Sequence, residues 1–438
     1  MGGKNMANKL DLIATGDLFL TRRLPKGGYE GFSELRDVIM QHDVRFNNLE
    51  MTFHDKEGYP AAQSGGTWAM MESKALDDVL EFGFNLFTTA NNHTGDYGEG
   101  GILATIKHLK ERDMVFSGSG RNLAEASKPC YLELKNNRVA LISVSSTFSE
   151  ASRAGGQSIE MAGRPGLSPL RYTKKFHVDP EHFEMVKKIV AVSGVNWNIE
   201  RAVKAGYWKP LPEGLLPFDL EGYFVQDETN WIETVPHQGD MNRIISEIKE
   251  AKNQADVVLV SFHHHEYADN DTAIPAMFLE TFARTCIDEG ADAVIGHGPH
   301  ELQGIELYKD GVIFYSVGNF LFEAENVSLQ PYDAYENRGM PLDTKVGAYM
   351  DERSKNGTIG FCVDKNIWRA VMAGWTMEDG KLSQIRLYPI ELGMELKRSQ
   401  KGVPRLAGED ILEYLQTLCD RYNTKIRIEN GIGYIDIK

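Results

Sequence analysis

The chain is 438 residues long, with 42% hydrophobic, 25% charged and 10% aromatic residues, a globular composition that excludes disorder, collagen-like repeats and coiled coil as the dominant state. Forty-seven Lys and Arg against 63 Asp and Glu leave a net charge of −16, which disfavours a nucleic-acid backbone as partner. No apolar run reaches the roughly 18 residues of a membrane span, and Met1 to Leu10 is polar, so no transmembrane segment and a cytoplasmic chain are expected. The four Cys lie far apart without a C-x-x-C pair, so free thiols are expected.

The first 150 residues alternate short apolar runs with amphipathic stretches, the pattern of strands and helices taken in turn. Residues 10–15 read as a buried strand ending at Gly16-Asp17, 33–41 as a helix with Ser33 as N-cap, and 43–49 as a strand. A helix over 73–82, closed by Gly83, precedes a strand over 84–89, a helix over 99–112 and a strand over 138–143. From Ala154 to Gln238 Gly, Pro, Trp and Tyr become frequent and periodicity weakens. This segment reads as an insertion with helices near 181–192 and 197–205, a lid or specificity element. Regularity returns with a helix over 240–253, strands over 257–262 and 293–295 around a helix over 276–289, and a hairpin turning at Lys309-Asp310-Gly311. Residues 323–356 read as a long loop, with strands expected over 358–363, 369–376 and 382–388, then a helix over 409–420 and a hairpin at Glu429-Asn430-Gly431.

Each strand of the regular part delivers its end to a polar loop, where ligands sit in open α/β sheets. The series runs Gly16-Asp17, Asn48-Leu49-Glu50, Asn91-Asn92-His93 with Asp96, His263-His264-His265-Glu266, and Gly296-His297-Gly298-Pro299-His300. Asp17 alone also suits a turn or helix cap, Asn48 and Glu50 a surface turn, and residues 91–96 a loop that satisfies its own backbone. Histidine placement separates these readings, because five of 12 His fall in two clusters, each directly after a buried strand. Alternation along an extended segment lets at most two of His263, His264 and His265 converge. Imidazole and carboxylate arriving from separate strand ends would form a mixed nitrogen and oxygen site for a divalent metal. The serine-hydrolase elbow, the P-loop and the zincin helix have no counterpart in the sequence.

The order and wording of these loops resemble the CapA family of bacterial poly-γ-glutamate capsule synthesis proteins, with its PGA_cap domain. The resemblance runs from about Asp11 to Phe322. It is most specific in Thr89-Ala90-Asn91-Asn92-His93-Thr94-Gly95-Asp96-Tyr97-Gly98, which is similar to the family's A-N-N-H-x-x-D-x-G loop. It implies an α/β fold, the calcineurin-like metallophosphatase four-layer αββα sandwich with mixed sheets, over residues 8–400, with the 154–238 insertion inside it and a small C-terminal extension over 401–438. It further implies one or two divalent ions (Mn, Zn, Fe, Mg or Ca) on Asp17, Glu50, Asn92, His263 and His297. Proton transfer would fall to His93, His300, Asp96 and Glu266, and substrate contact to Arg22, Arg23, Asn48, His264, His265 and Asn319. The sequence departs from the metallophosphatase pattern in two places. Asp17 is followed by Leu18 and Phe19 where D-x-H is usual, and G-H-x-H is stretched to His297-Gly298-Pro299-His300. The implied activity is a hydrolase or transferase acting on poly-γ-glutamate or a related amide or phosphate ester, with a peptide or acidic polyamide as substrate. A metal-dependent peptide epimerase exchanging a Cα proton and a non-catalytic assembly factor of a capsule synthase are the alternatives.

Overall fold

The computed structural model describes residues 9–218 and 222–437; the start of the polar N-terminal stretch, three residues of the insertion and Lys438 lie outside it. Two mixed sheets face one another. The larger has ten strands and runs, along its main path, from Arg427–Glu429 through Ile432–Asp436, Lys381–Glu391, Arg369–Glu378, Lys9–Phe19, Val44–Leu49 and Leu86–Thr88 to Phe116–Ser117. The smaller has six, in the order Ile305–Tyr308, Gly311–Phe314, Ala293–His297, Val257–His263, Arg138–Ser145, Cys130–Glu133.

Period-two alternation sorts the strand residues between faces. Leu12, Ala14, Val44 and Phe46 of the large sheet meet Leu141, Val257, Leu259, Ala293 and Ile295 of the small one in a core sealed between the sheets. The intervening residues point outward. Ile13 and Leu49 pack under the helices Phe32–Met40 and Ala75–Glu81, while Val258, Val260 and Val294 pack under Gln238–Lys252 and Met277–Asp288. Helix, sheet, sheet and helix therefore stack as the four-layer αββα sandwich. Strands buried on both faces explain why their sequences read as continuous apolar runs.

Several elements differ from the sequence reading. The first helix starts at Phe32, with Gly31 at its N-cap in the left-handed region (φ 87°), because Phe32, Leu35 and Ile39 must face the core together. Ser33 is inside that helix and makes no capping bond. Residues 323–356 hold two short helices, Tyr332–Glu336 and Val346–Arg353, anchored by buried Tyr335, Tyr349 and Met350. Residues 358–363 form a 3₁₀ turn at Gly360–Cys362 rather than a strand, since positive φ at Gly357 and Gly360 breaks the extended chain. The insertion carries both expected helices, Pro180–Ser193 and Trp197–Lys204, and also a four-stranded sheet of Leu215–Pro217, Tyr223–Gln226, Tyr172–Val178 and Trp231–Pro236. Its strands are half-buried or exposed, so they lack the dense apolar runs that marked the core strands.

Residues 401–437 are not an appendage. The Ile432–Asp436 strand adds to Lys381–Glu391, and the Asp410–Cys419 helix lays Ile411, Leu412, Leu415 and Cys419 into the core between the sheets. The hairpin turn at Asn430 and Gly431, both with positive φ, sets that strand's register. Among the described residues no helix is long and apolar enough to cross a membrane.

Truncation after Gly402 tests this integration. Each large buried side chain removed from a core costs about 2–5 kcal/mol, and losing this set together is comparable to the roughly 5–15 kcal/mol that holds a protein folded. The expected outcome is loss of soluble, cooperatively unfolding protein, checked by urea titration of tryptophan fluorescence.

Candidate metal centre

The site lies at the ends of the central strands, where inward-facing positions continue past the apolar core. Val257, Leu259, Ser261 and His263 share one face of their strand, and Ala293, Ile295 and His297 share the matching face of the neighbour, with His263 and His297 opposite each other in register. Asp17 reaches the same space by a different device. Leu12 and Ala14 face inward, so strict alternation would turn Asp17 outward. Between Ala14 and Asp17 the strand advances three residues while its partner, from Phe46 to Asn48, advances two. This bulge flips the parity, so Asp17 pairs with Asn48 on the inner face and Leu18 turns to the outer core.

Six side chains converge. Asp17 Oδ1 lies 3.8 Å from His263 Nδ1 and 3.6 Å from His297 Nδ1, and those two nitrogens are 3.0 Å apart. Donors about 2.1 Å from one ion sit roughly 3.4 Å apart in tetrahedral geometry, so this trio suits a common cation. On the far side of the His263 ring, Nε2 is 3.6 Å from Glu50 Oε1, and His265 completes a second trio with them. His300 links the two, with Nδ1 3.5 Å from Asp17 Oδ2 and Nε2 3.7 Å from Glu50 Oε1. Asp17, Glu50, His263 and His297 are fully buried.

Burial sets the protonation of this cluster. Burial pushes the Glu50 carboxyl well above its ordinary range, with the charges of Asp17 and Asp96 adding to it. Burial likewise holds His263 and His265 well below an ordinary imidazole and His297 down at about 4, so the three rings are neutral. Asp17 goes the other way. Burial alone would raise it, but its bond to His300, the charges of His300 and His297 and the Asn48 amide keep it below the usual range. Both Glu50 oxygens, His263 Nε2, His265 Nε2 and Asn92 Oδ1 are buried with no hydrogen-bond partner. An unpaired buried polar atom costs about 1–3 kcal/mol, so the four on Glu50, His263 and His265 fit a cation-binding donor set far better than a packing role.

Partners outside the cluster aim its members. Asn48 Nδ2 donates to Asp17 Oδ1 at 2.7 Å and its oxygen accepts from Asn91, while Ser261 Oγ lies 2.7 Å from His297 Nε2. Gly298 donates its backbone N–H to Asp17 Oδ2, and a Cβ there would meet the His264 carbonyl at 2.4 Å, so glycine is required where these two loops cross. His300 is held with positive φ (62°), and its Nδ1 bonds the Asn319 oxygen at 2.8 Å. His93 Nδ1 bonds Asp96 Oδ2 at 2.7 Å; Asp96 also accepts from the backbone of Gly65 and Ala69, so it serves to orient His93.

Other residues singled out in the sequence are placed elsewhere or already committed. His264 faces the opposite side of its strand, stacked on Phe262 and bonded to the Tyr315 carbonyl, as alternation requires. Arg22 binds Glu323, and Arg23 binds Asp78 and Glu72; both line a separate groove of about 860 Å³ that includes none of the clustered residues. Asn48 and Asn319 spend their amides on Asp17 and His300, and Asn319 also on the Ile367 carbonyl. Glu266 accepts from Ser146 Oγ and Thr147 Oγ1 and sits outside the cluster. His265, expected to touch substrate, joins the ligand trio with Glu50 and His263. Ser261 was not anticipated, although it was legible, two residues before His263 and hence on its face; Asn91, named in the loop series without a role, orients Asn48.

Acidification tests the neutral imidazoles. A histidine whose folded pKa lies below its unfolded one contributes stability that is lost as pH falls through the unfolded value toward the folded one. Chelator-treated protein should therefore lose about 1–3 kcal/mol more than its His297→Gln variant between about pH 6.5 and 4, read as a falling urea midpoint; the raised Glu50 carboxyl works in the opposite direction over this window and is common to both. His297→Gln should flatten that slope, and an unchanged slope would show the ring to be ordinarily titrating.

Comparison with known proteins places this site in context. The family profile described as "Bacterial capsule synthesis protein PGA_cap" matches residues 11–324. The uncharacterized protein y4sH of Sinorhizobium fredii is 32% identical over 98% of this chain and 94% of its own. The capsule biosynthesis protein CapA of Bacillus anthracis is 26% identical over 85% and 77%. Among solved structures, a phosphatase from Mycoplasma pneumoniae aligns with a TM-score of 0.39 at 12% identity, covering 88% of this chain and 95% of that one.

Proposed function

The chain belongs to the bacterial capsule synthesis family PGA_cap, and from that premise we propose that it is a metal-dependent hydrolase acting on poly-γ-glutamate or a related amide or phosphate ester of capsule metabolism. The supporting observation is the set of buried, unpartnered acceptors on Glu50, His263 and His265 beside the ionised Asp17. These residues, with His297 and His300, would hold a divalent cation, and neutral imidazole in the majority suits zinc, manganese or iron better than magnesium or calcium. Such an ion supplies polarisation of a carbonyl or phosphoryl oxygen and acidifies water.

The chain's own residues supply the rest. Asp96 fixes the His93 tautomer with the proton on Nδ1, leaving Nε2 for proton exchange with a leaving group. Asn319 sets His300 in the same way, and its Nε2 turns toward Glu50. Asn48 and the Gly298 N–H hold the two Asp17 oxygens in place, so the carboxylate does not reorganise as charge develops. His265 is the half-buried member of the cluster, through which it meets solvent.

Elemental analysis of purified protein tests the reading. About one or two ions per chain are expected in the parent and little in a His263→Ala, His297→Ala double variant; equal content in both would remove the site. Asn48→Ala, which alters the aim of Asp17 and no ligand atom, should lose about 10–100-fold in metal affinity or hydrolysis of γ-glutamyl amides. Deuterium uptake into a peptide without cleavage would reassign the site to epimerisation.

A further inference from the structure

The metal cluster opens at His265 into a cleft of about 1190 Å³ between the inserted sheet and the core. One wall comes from alternate residues of the Tyr172–Val178 strand and its neighbours. Tyr172 stacks on Phe278 of the core at 4.3 Å and so fixes the sheet against it; Lys174 and Phe176 follow on the same face, with Phe224 stacked on Phe176 at 5.2 Å. Ile232 extends this wall, 49% exposed, and Trp231 stands beside it, 39% exposed. A sheet that leaves apolar side chains of this size open to water is built for contact with something else.

Besides His265, three basic side chains line the cleft, and two of them already have acidic partners. His177 sits between Asp227 and Glu233, stacked on Trp231, and Arg421 binds Glu280. Lys174 has no carboxylate within ion-pair distance among the described residues; its ammonium lies 5.9 Å from the Phe176 ring centre. It is half-buried on the wall that faces His265 and Glu266.

Building on the hydrolase reading above, but taking its related amide in place of poly-γ-glutamate, we infer that this cleft is the substrate channel, that Lys174 receives a single carboxylate of the substrate, and that the substrate is a peptide bearing apolar or aromatic side chains rather than a polyanion. One cation with no ion pair among the described residues, a half-buried aromatic wall with Trp231 and Ile232 open to solvent, and a protein of net charge −16 match one anionic group on an otherwise apolar ligand. A polyglutamate chain would need a row of cations, and Asp269 and Glu280 stand on the opposite wall instead.

The test is calorimetric titration of the intact protein with three probes: an acetylated hexapeptide of alternating alanine and phenylalanine with a free C-terminal carboxylate, its C-terminal amide, and hexaglutamate. The carboxylate form should bind about tenfold tighter than the amide, the worth of one charge-assisted hydrogen bond. Lys174→Gln should erase that preference, Lys174→Arg should restore it, and Phe176→Ala should weaken both apolar peptides alike. Hexaglutamate binding tightest, no binding by either apolar peptide, or a preference that survives Lys174→Gln would overturn the inference, the last by assigning the carboxylate to a cation held by the Asp17 and Glu50 cluster. Binding is read rather than turnover, so a protein that binds as expected but cleaves nothing would count against the hydrolase and leave the cleft assignment standing.

Discussion

One extra residue in the first strand decides whether this molecule has a site at all. Without the bulge between Ala14 and Asp17, period-two alternation would send the Asp17 carboxylate outward among the helices and bring Leu18 in beside His263. With it, a fully buried carboxylate stands within 3.8 Å of three imidazoles, and every other member of the cluster is arranged around that charge. The bulge costs regular pairing at one place in the ladder between Lys9–Phe19 and Val44–Leu49. That cost is tolerable because the flanking strands, Val44–Leu49 on one side and Arg369–Glu378 on the other, hold the remainder of the strand in register.

The electrostatics then follow from geometry rather than from composition. Three imidazoles are kept neutral chiefly by burial, and Glu50 is pushed toward its protonated form by burial and by Asp17. A pocket of neutral rings around one ionised carboxylate and one reluctant one is poised to accept positive charge, since a cation would ionise Glu50 and satisfy the orphaned nitrogens in the same step. Competing explanations fare poorly. A cluster serving only to pack the sandwich would have paired its polar atoms, as Ser146 and Thr147 do for Glu266 a short distance away.

Much of this was legible because two periodicities coincide at the site. The apolar runs 257–262 and 293–295 announced buried parallel strands, and His263 and His297 inherit their inward face from the residues two and four positions before them. The same alternation separated His264 from His263 and His265. What stayed hidden was whatever depends on neighbours distant in sequence. The bulge is invisible in a run such as Leu10-Asp11-Leu12-Ile13-Ala14-Thr15, so Asp17 reads simply as a strand end. Arg22 and Arg23 lie close to Asp17 in sequence, yet the chain turns after Phe19 and Leu20 enter the outer core, and both guanidinium groups end on Glu323 and Asp78. The inserted sheet escaped notice because half-exposed strands mix polar and apolar residues on both faces.

The insertion shows how one fold divides labour. The sandwich supplies a rigid cradle whose strands are tied on both sides, which suits ligands that must hold their positions to within a fraction of an ångström. The inserted sheet touches that cradle mainly through Tyr172 on Phe278 and through Thr234 at the start of the Met277–Asp288 helix. Among the described residues it adds no ligand to the cluster, and those that line the cleft stand in front of His265. On the proposed reading, changes in Lys174, Phe176 or Ile232 would act on what is admitted, while changes in the strand ends would act on what is done to it. Because no hydrogen bond among the described residues couples the two sets directly, the wall of the cleft is free to vary without disturbing the donors behind it.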